Sequence, residues 1–211
     1  MKITKLGHCC LVIEEGAGKV LFDPGVYSTA QQEVRGLQAI IITHEHQDHY
    51  HLDSLKMVLA NNPDAKVFTN SGVGKLLAAA GIVYELIEHG QRAAVAGLVL
   101  EAFGDQHASM LPYVPLVVNT GFLVGGRFFY PGDAFTNPGQ PVETLALPVV
   151  GPWLKLVEAI DYAKALRPQH CFPVHDGMLK IFGPVHALPQ KALLPLGIEF
   201  RVPELGVPFE V

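Results

Sequence analysis

Cysteine, charge and long apolar runs are all scarce in this sequence. Three cysteines among 211 residues (Cys9, Cys10 and Cys171) are too few for a disulfide framework in a chain of this size. Adjacent Cys9 and Cys10 read as small hydrophobes facing opposite sides of a strand, and a reducing, cytoplasmic compartment is expected. Charged residues make up 17% of the chain, with a formal net charge of -5 and no long block of either sign. No Lys/Arg patch of the kind that a nucleic-acid backbone recruits stands out, which argues against a polyanion partner. No apolar stretch approaches the roughly 20 residues needed to span a bilayer. The opening "MKITKLGHCC" has no apolar h-region, so no signal peptide is expected. At 49% hydrophobic the chain can still bury a sizeable core, and it reads as one domain over residues 1–211.

The first block reads as short strands, "MKITKL", "CLVIEE" and "KVLFDP", separated by Gly7 and the "EGAGK" turn. "LQAIIITH" is a continuous apolar run, as in a strand covered on both faces. "HLDSLKMVLANN" has helical spacing and "AKVFTN" reads as a strand. "SGVGKLLAAAG" reads as a helix with Ser71 as N-cap and Gly81 at its C-terminus. The second block repeats the order: strands in "IVYELI", "QRAAVAGLVLEAFGD" and "LVVNTGFLVGGRFFYPGD", the last with a Gly125-Gly126 hairpin turn. Then come a strand "LALPVV", an amphipathic helix "WLKLVEAIDYAKAL" and a strand "QHCFPVH". The Pro-rich tail offers one short strand, "GIEFRV". Two such blocks predict two sheets with helices outside.

The chemistry concentrates at strand ends. "ITHEHQDHY" follows the apolar run directly, and alternation in extended chain points His44 and His46 the same way, with Asp48 and His49 at the turn. Imidazoles and a carboxylate at this density suit a divalent metal better than a solvated turn. His107 in "FGDQH", Asp133 in "YPGDA" and His175 in "FPVHDG" lie past three further strand ends. Asp105 is expected to support the site from behind. His89 reads as an exposed turn residue, His170 as packed or half-buried, and His186 carries no signal. "SGVGKLL" is not a phosphate loop, because Leu76 stands where Ser or Thr is required.

In this order, His44-x-His46-x-Asp48-His49 with His107, Asp133 and His175 resembles the metallo-β-lactamase superfamily. "KLGHCCLVIEE", "KVLFDPG" and "FPVHDG" stand in the expected places over nearly the whole chain. The resemblance implies an α/β fold, a four-layer αββα sandwich, with a dinuclear site at its edge. His44, His46 and His107 would hold one metal, and Asp48, His49 and His175 the second. Asp133 would bridge them. The implied function is a metal-dependent hydrolase that directs metal-activated hydroxide at an ester, lactone or phosphodiester bond, with Asp48 orienting the water and moving its proton. Two divalent ions are expected, zinc first, with manganese and iron open. Tyr50-His51 replaces the Gly-Gly pair usual in glyoxalase II relatives. "LGHCC" is similar instead to the branch of ascorbate-6-phosphate lactonase and N-acyl-phosphatidylethanolamine phospholipase D, where Gly-His-Ser is common. There His8 would lie near the site, either as a substrate contact or support or as a turn residue. The alternatives are a di-iron redox protein or a non-catalytic metal-binding relative. "SMLPYVPL" could line a pocket, and the apolar Pro-rich tail would suit a homo-oligomer contact.

Overall fold

The computed structural model describes residues 1–211. In the first block β1 (Lys2–Lys5), β2 (Leu11–Glu15) and β3 (Gly18–Phe22) form an antiparallel meander. β4 (Ala39–Ile42), α1 (Leu52–Asn61), β5 (Lys66–Thr69), α2 (Ser71–Ala79) and β6 (Glu85–Leu86) extend it, the strands parallel and the helices as crossovers. The second block follows the same plan. β7 (Arg92–Val95), β8 (Leu98–Phe103), β9 (Gly121–Val124) and β10 (Phe128–Tyr130) are antiparallel. β11 (Thr144–Pro148), α3 (Leu156–Leu166), β12 (His170–Val174), α4 (Gly183–Leu193) and β13 (Glu199–Phe200) continue in parallel. β14 (Phe209–Glu210) crosses back to pair with β1, giving two seven-stranded sheets.

The period of two explains the layering. On β4, Ala39 and Ile41 face the other sheet, while Ile40 and Ile42 pack under α1 and α2 with Leu55, Val58 and Leu77. On β10, Phe128 and Tyr130 enter the space between the sheets, and Phe129 packs under α3 and α4 with Ala159, Ala163 and Leu193. Both strands are buried on both faces, which is why they read as unbroken apolar runs. The result is helix, sheet, sheet, helix, as the resemblance implied.

Three local expectations are corrected. Asn70, not Ser71, caps α2: its Oδ1 accepts from the N–H groups of Gly72 and Val73, while Gly81 follows the helix with φ +70°. Only Glu85–Leu86 of "IVYELI" pairs as a strand. The Pro-rich tail, where only "GIEFRV" was expected as an element, is entered by the helix α4. Pro184 sits in its first turn, where no N–H is needed, and buried Pro189 is carried inside the helix by packing.

Candidate metal centre

The four strand ends of β4, β8, β10 and β12 open on the same edge of the sandwich and bring the seven expected residues together. After β4, the tight turn 43–51 is closed by N–H groups of His49 and Tyr50 donating to the His46 carbonyl. Asp23, at the end of β3 with φ +44°, braces this turn: Oδ1 accepts from Thr43 N–H at 2.8 Å, and Oδ2 from the Thr43 hydroxyl at 2.7 Å. Gly25 is required here because a Cβ would collide with the Asp48 carbonyl. After β10, Asn119 accepts from Asp133 N–H and donates to the Pro131 carbonyl, so the "YPGD" turn is pinned from the β9 side. His175 adopts φ +64°, a left-handed conformation uncommon outside glycine, and its N–H donates to the His8 carbonyl at 3.0 Å.

Two groups of side chains emerge. His44, His46 and His107 present nitrogens within 4.8 Å of one another, and so do the ligand-type atoms of Asp48, His49, Asp133 and His175. Asp133 lies between them: its Oδ2 is 2.8 Å from His175 Nε2, 3.4 Å from His107 Nε2 and 3.9 Å from His44 Nε2, and its Oδ1 is 3.1 Å from His49 Nε2. The outer nitrogens explain the orientation of the inner ones. His49 Nδ1 donates to Asp23 Oδ2 at 2.7 Å and His107 Nδ1 to the Ala108 carbonyl at 2.6 Å, which turns each Nε2 inward as the atom free to meet an ion. Nε2 of His44, His49, His107 and His175 and Oδ1 of Asp133 are buried without a hydrogen bond. Five orphaned donor-type atoms converging on one place are costly without an ion, and the donor set fits two divalent cations.

The electrostatics agree. Burial, then the neighbouring imidazoles, hold His44 and His46 below the usual histidine range. Burial also opposes the charged form of His49, but Cys9, Asp133 and Asp23 outweigh it and raise its pKa. His175 is raised against burial by Asp133, Cys9 and Asp48. Burial would raise Asp133, yet His49 and His175 hold it well below the carboxylate range. Asp48 is likewise lowered against burial, by the His175 imidazole 3.2 Å from its Oδ2 and by the hydrogen bond from His8.

Residues outside the expected set also shape the site. His8 is fully buried, and its Nδ1 accepts from Gly177 N–H at 2.9 Å. Its Nε2 therefore carries the proton and donates to Asp48 Oδ2 at 3.3 Å. This makes His8 an orienting group for Asp48. Asp23 and Trp153 were not anticipated, and Trp153 Nε1 donates to Asp133 Oδ2 at 2.8 Å. His51 caps α1, accepting from Ser54 N–H. Asp105, expected behind the site, is exposed and takes no part in it. His186 does carry a contact, 2.8 Å from Asp176 Oδ2, whose other oxygen meets Lys5 Nζ at 2.5 Å. Cys9 is buried in the core between the sheets, as a small hydrophobe would be, but its sulfur also lies beside His8, His49 and His175. Those imidazoles lower its thiol to about 6 against the burial that raises it. It does not reach the cavity, so a thiol nucleophile has no route to a substrate.

That cavity, of about 370 Å³, opens onto His46, Asp48, His107, Asp133 and His175. Three larger hollows, of about 540, 1000 and 500 Å³, lie elsewhere and hold none of the orphaned atoms.

Residues 2–175 match the family described as "Beta-lactamase superfamily domain". The chain belongs to this superfamily. A Mycobacterium tuberculosis protein is 36% identical over 184 residues, 85% of each chain. A UPF0173 protein of Pyrococcus furiosus is 32% identical over 187 residues, 84% of each chain. A UPF0173 metal-dependent hydrolase of Aeropyrum pernix is 28% identical over 208 residues, 85% of this chain and 84% of that one. Among solved structures, a metallo hydrolase of Ignicoccus hospitalis superposes with a TM-score of 0.76 at 23% identity, covering 100% of this superfamily member and 98% of that chain. The metallo-β-lactamase fold protein YhfI of Bacillus subtilis gives 0.77 at 12%, covering 99% and 98%. These likenesses establish the fold. No helix is long and apolar enough to cross a membrane.

Proposed function

We propose that this chain is a single-domain hydrolase that holds two divalent ions and cleaves an ester, lactone or phosphodiester bond of a small molecule. The carrying observation is the convergence of orphaned, buried His44, His49, His107 and His175 Nε2 atoms with Asp133 Oδ1. His44, His46 and His107 would hold one ion, Asp48, His49 and His175 the other, and Asp133 both. When bound, such ions lower the pKa of water toward neutrality and polarise the scissile bond.

The chain's own groups supply the rest. Asp48, held ionised and oriented by His8, borders the cavity and can accept the proton of an attacking water and return it to the leaving group. Asp23 keeps His49 in the tautomer that presents Nε2. Zinc is the first candidate, because His and Asp donors suit it, though manganese and iron share that preference. Gly7-His8-Cys9 and the contact of His8 with Asp48 support kinship with the lactonase and phospholipase D branch. The three free cysteines support a cytoplasmic setting.

The test is His46→Ala and Asp48→Ala, read by metal content and by a panel of generic ester, lactone and phosphodiester substrates. Loss of about one ion per chain in His46→Ala, and loss of turnover in both, are expected. Full metal content with unchanged hydrolysis would overturn the reading. Strong visible absorption of the purified protein would instead favour an iron redox centre.

A further inference from the structure

The walls of the cavity say what kind of molecule fits beside the reacting bond. Apart from the candidate ligands and Gln47, they consist of Val26, Tyr27, Met110, Pro152, Trp153 and Met178. None carries a positive charge. The six segments that surround the site (23–29, 43–51, 104–120, 131–143, 149–155 and 175–182) contain two lysines, Lys155 and Lys180, and no arginine. Both are exposed, neither lines the cavity, and Lys155 lies beside Glu158 at 3.4 Å. The buried Lys5 is committed to Asp176 and the Pro173 carbonyl. The indole N–H of Trp153 is already donated to Asp133.

A phosphate or carboxylate elsewhere on the substrate would therefore lose hydration against an apolar wall and gain no charged partner. An alkyl or aryl arm would gain by burial on the same wall. Met110 and Met178, flexible and polarisable, let that wall adapt to arms of different shape. Tyr27 and Gln47 offer only neutral polar groups, suited to a carbonyl or hydroxyl.

We infer that the substrate is an uncharged ester or lactone with an apolar arm, and that it bears no phosphate or carboxylate away from the reacting bond. This rests on the hydrolytic reading above. It separates this chain from any relative whose substrate carries a phosphate handle.

The experiment compares matched pairs with the metal-loaded protein: p-nitrophenyl octanoate against mono-p-nitrophenyl suberate, and γ-nonalactone against a phosphorylated sugar lactone. A kcat/KM at least tenfold higher for the neutral member of each pair is expected, carried mainly by KM. Met178→Lys, a partly exposed position whose exchange should not unfold the protein, is expected to narrow the octanoate–suberate ratio at least fivefold. Equal or reversed preference, or no response to Met178→Lys, overturns the inference and leaves the hydrolase standing. No turnover of any substrate by metal-loaded protein overturns the hydrolase, and the inference falls with it.

Discussion

The indole N–H of Trp153 donates to Oδ2 of Asp133 across 2.8 Å, so the only tryptophan in the chain reports on the carboxylate between the two candidate ion sites. Trp153 is positioned by the turn between β11 and α3, and Gly151 makes room for it, since a Cβ there would lie 2.8 Å from its Nε1.

Metal loading is expected to change the emission of Trp153, because Asp133 gains charge partners next to the ring. Trp153→Phe keeps the packing against Phe135 but removes the donor. Its metal affinity is expected to fall about tenfold or more, the usual effect of removing a group that orients a ligand. Competition with a chromophoric chelator measures it, and unchanged affinity in Trp153→Phe would show the bond to be incidental.

Asp23 is a second support that the metal-ligand pattern does not name. Its carboxylate accepts from Thr43 N–H, the Thr43 hydroxyl, His49 Nδ1 and the Tyr130 hydroxyl, all buried. Asp23→Asn places an NH₂ or a neutral oxygen against those donors while keeping the volume. It is expected to cost about 3 kcal/mol of stability and about 10–100-fold in metal affinity. Chemical denaturation without metal gives the first quantity and chelator competition the second. A loss confined to stability would mean that Asp23 braces the turn without setting the His49 tautomer.

The seven residues that converge stood out in the sequence because each sits just past an apolar strand, and their grouping into one set came from the resemblance. Of the supports, His8 was reached only through the resemblance, and Asp23 and Trp153 were hidden for a different reason. Asp23, His8 and Trp153 meet the site only through β-strand pairing and sheet stacking, contacts that span from 20 to 169 positions in the chain. Asp23 did leave a trace, an Asp-Pro-Gly at a buried strand end like the ligand positions themselves. Asp105 was misjudged because its period-two spacing from His107 would put both on one side of a strand, whereas the strand ends at Phe103 and the chain turns at Gly104, φ +80°, which leaves Asp105 exposed. No element was assigned over α4, which contains Pro184 and Pro189. One sits harmlessly in the first turn, and the other is held by core contacts that only the tertiary structure supplies.

Lys5 and Asp176 form a buried ion pair at 2.5 Å immediately after His175, with His186 of α4 on the other carboxylate oxygen. Lys5→Met leaves Asp176 buried with half its partners. A loss of about 3–5 kcal/mol is expected, the usual effect of breaking a buried pair from one side. Replacing both, Lys5→Met with Asp176→Leu, should recover much of it. If the double variant is no more stable than Lys5→Met, the pair is holding the His175 turn rather than neutralising a charge.

The histidine pKa directions give a pH dependence with a definite sign. His49 and His175 are raised above 6.5 in the metal-free fold, so their protonated forms stabilise it fully below pH 6.5, and this is lost as pH rises through their folded values. His44 and His46 are lowered, so their contribution is present above pH 6.5 and lost as pH falls through their folded values. A metal ion needs Nε2 of all four without a proton. Binding above pH 6.5 must therefore expel protons from His49 and His175 but none from His44 or His46. The affinity of the Asp48–His49–His175 site is expected to rise with pH above 6.5, approaching about two log units per pH unit while both imidazoles remain protonated. The His44–His46–His107 site should change far less over the same range. Calorimetric titration in buffers of different ionisation enthalpy counts the protons released. Up to two protons from His49 and His175 and none from His44 or His46 is the expected pattern, and equal release at both sites would contradict it.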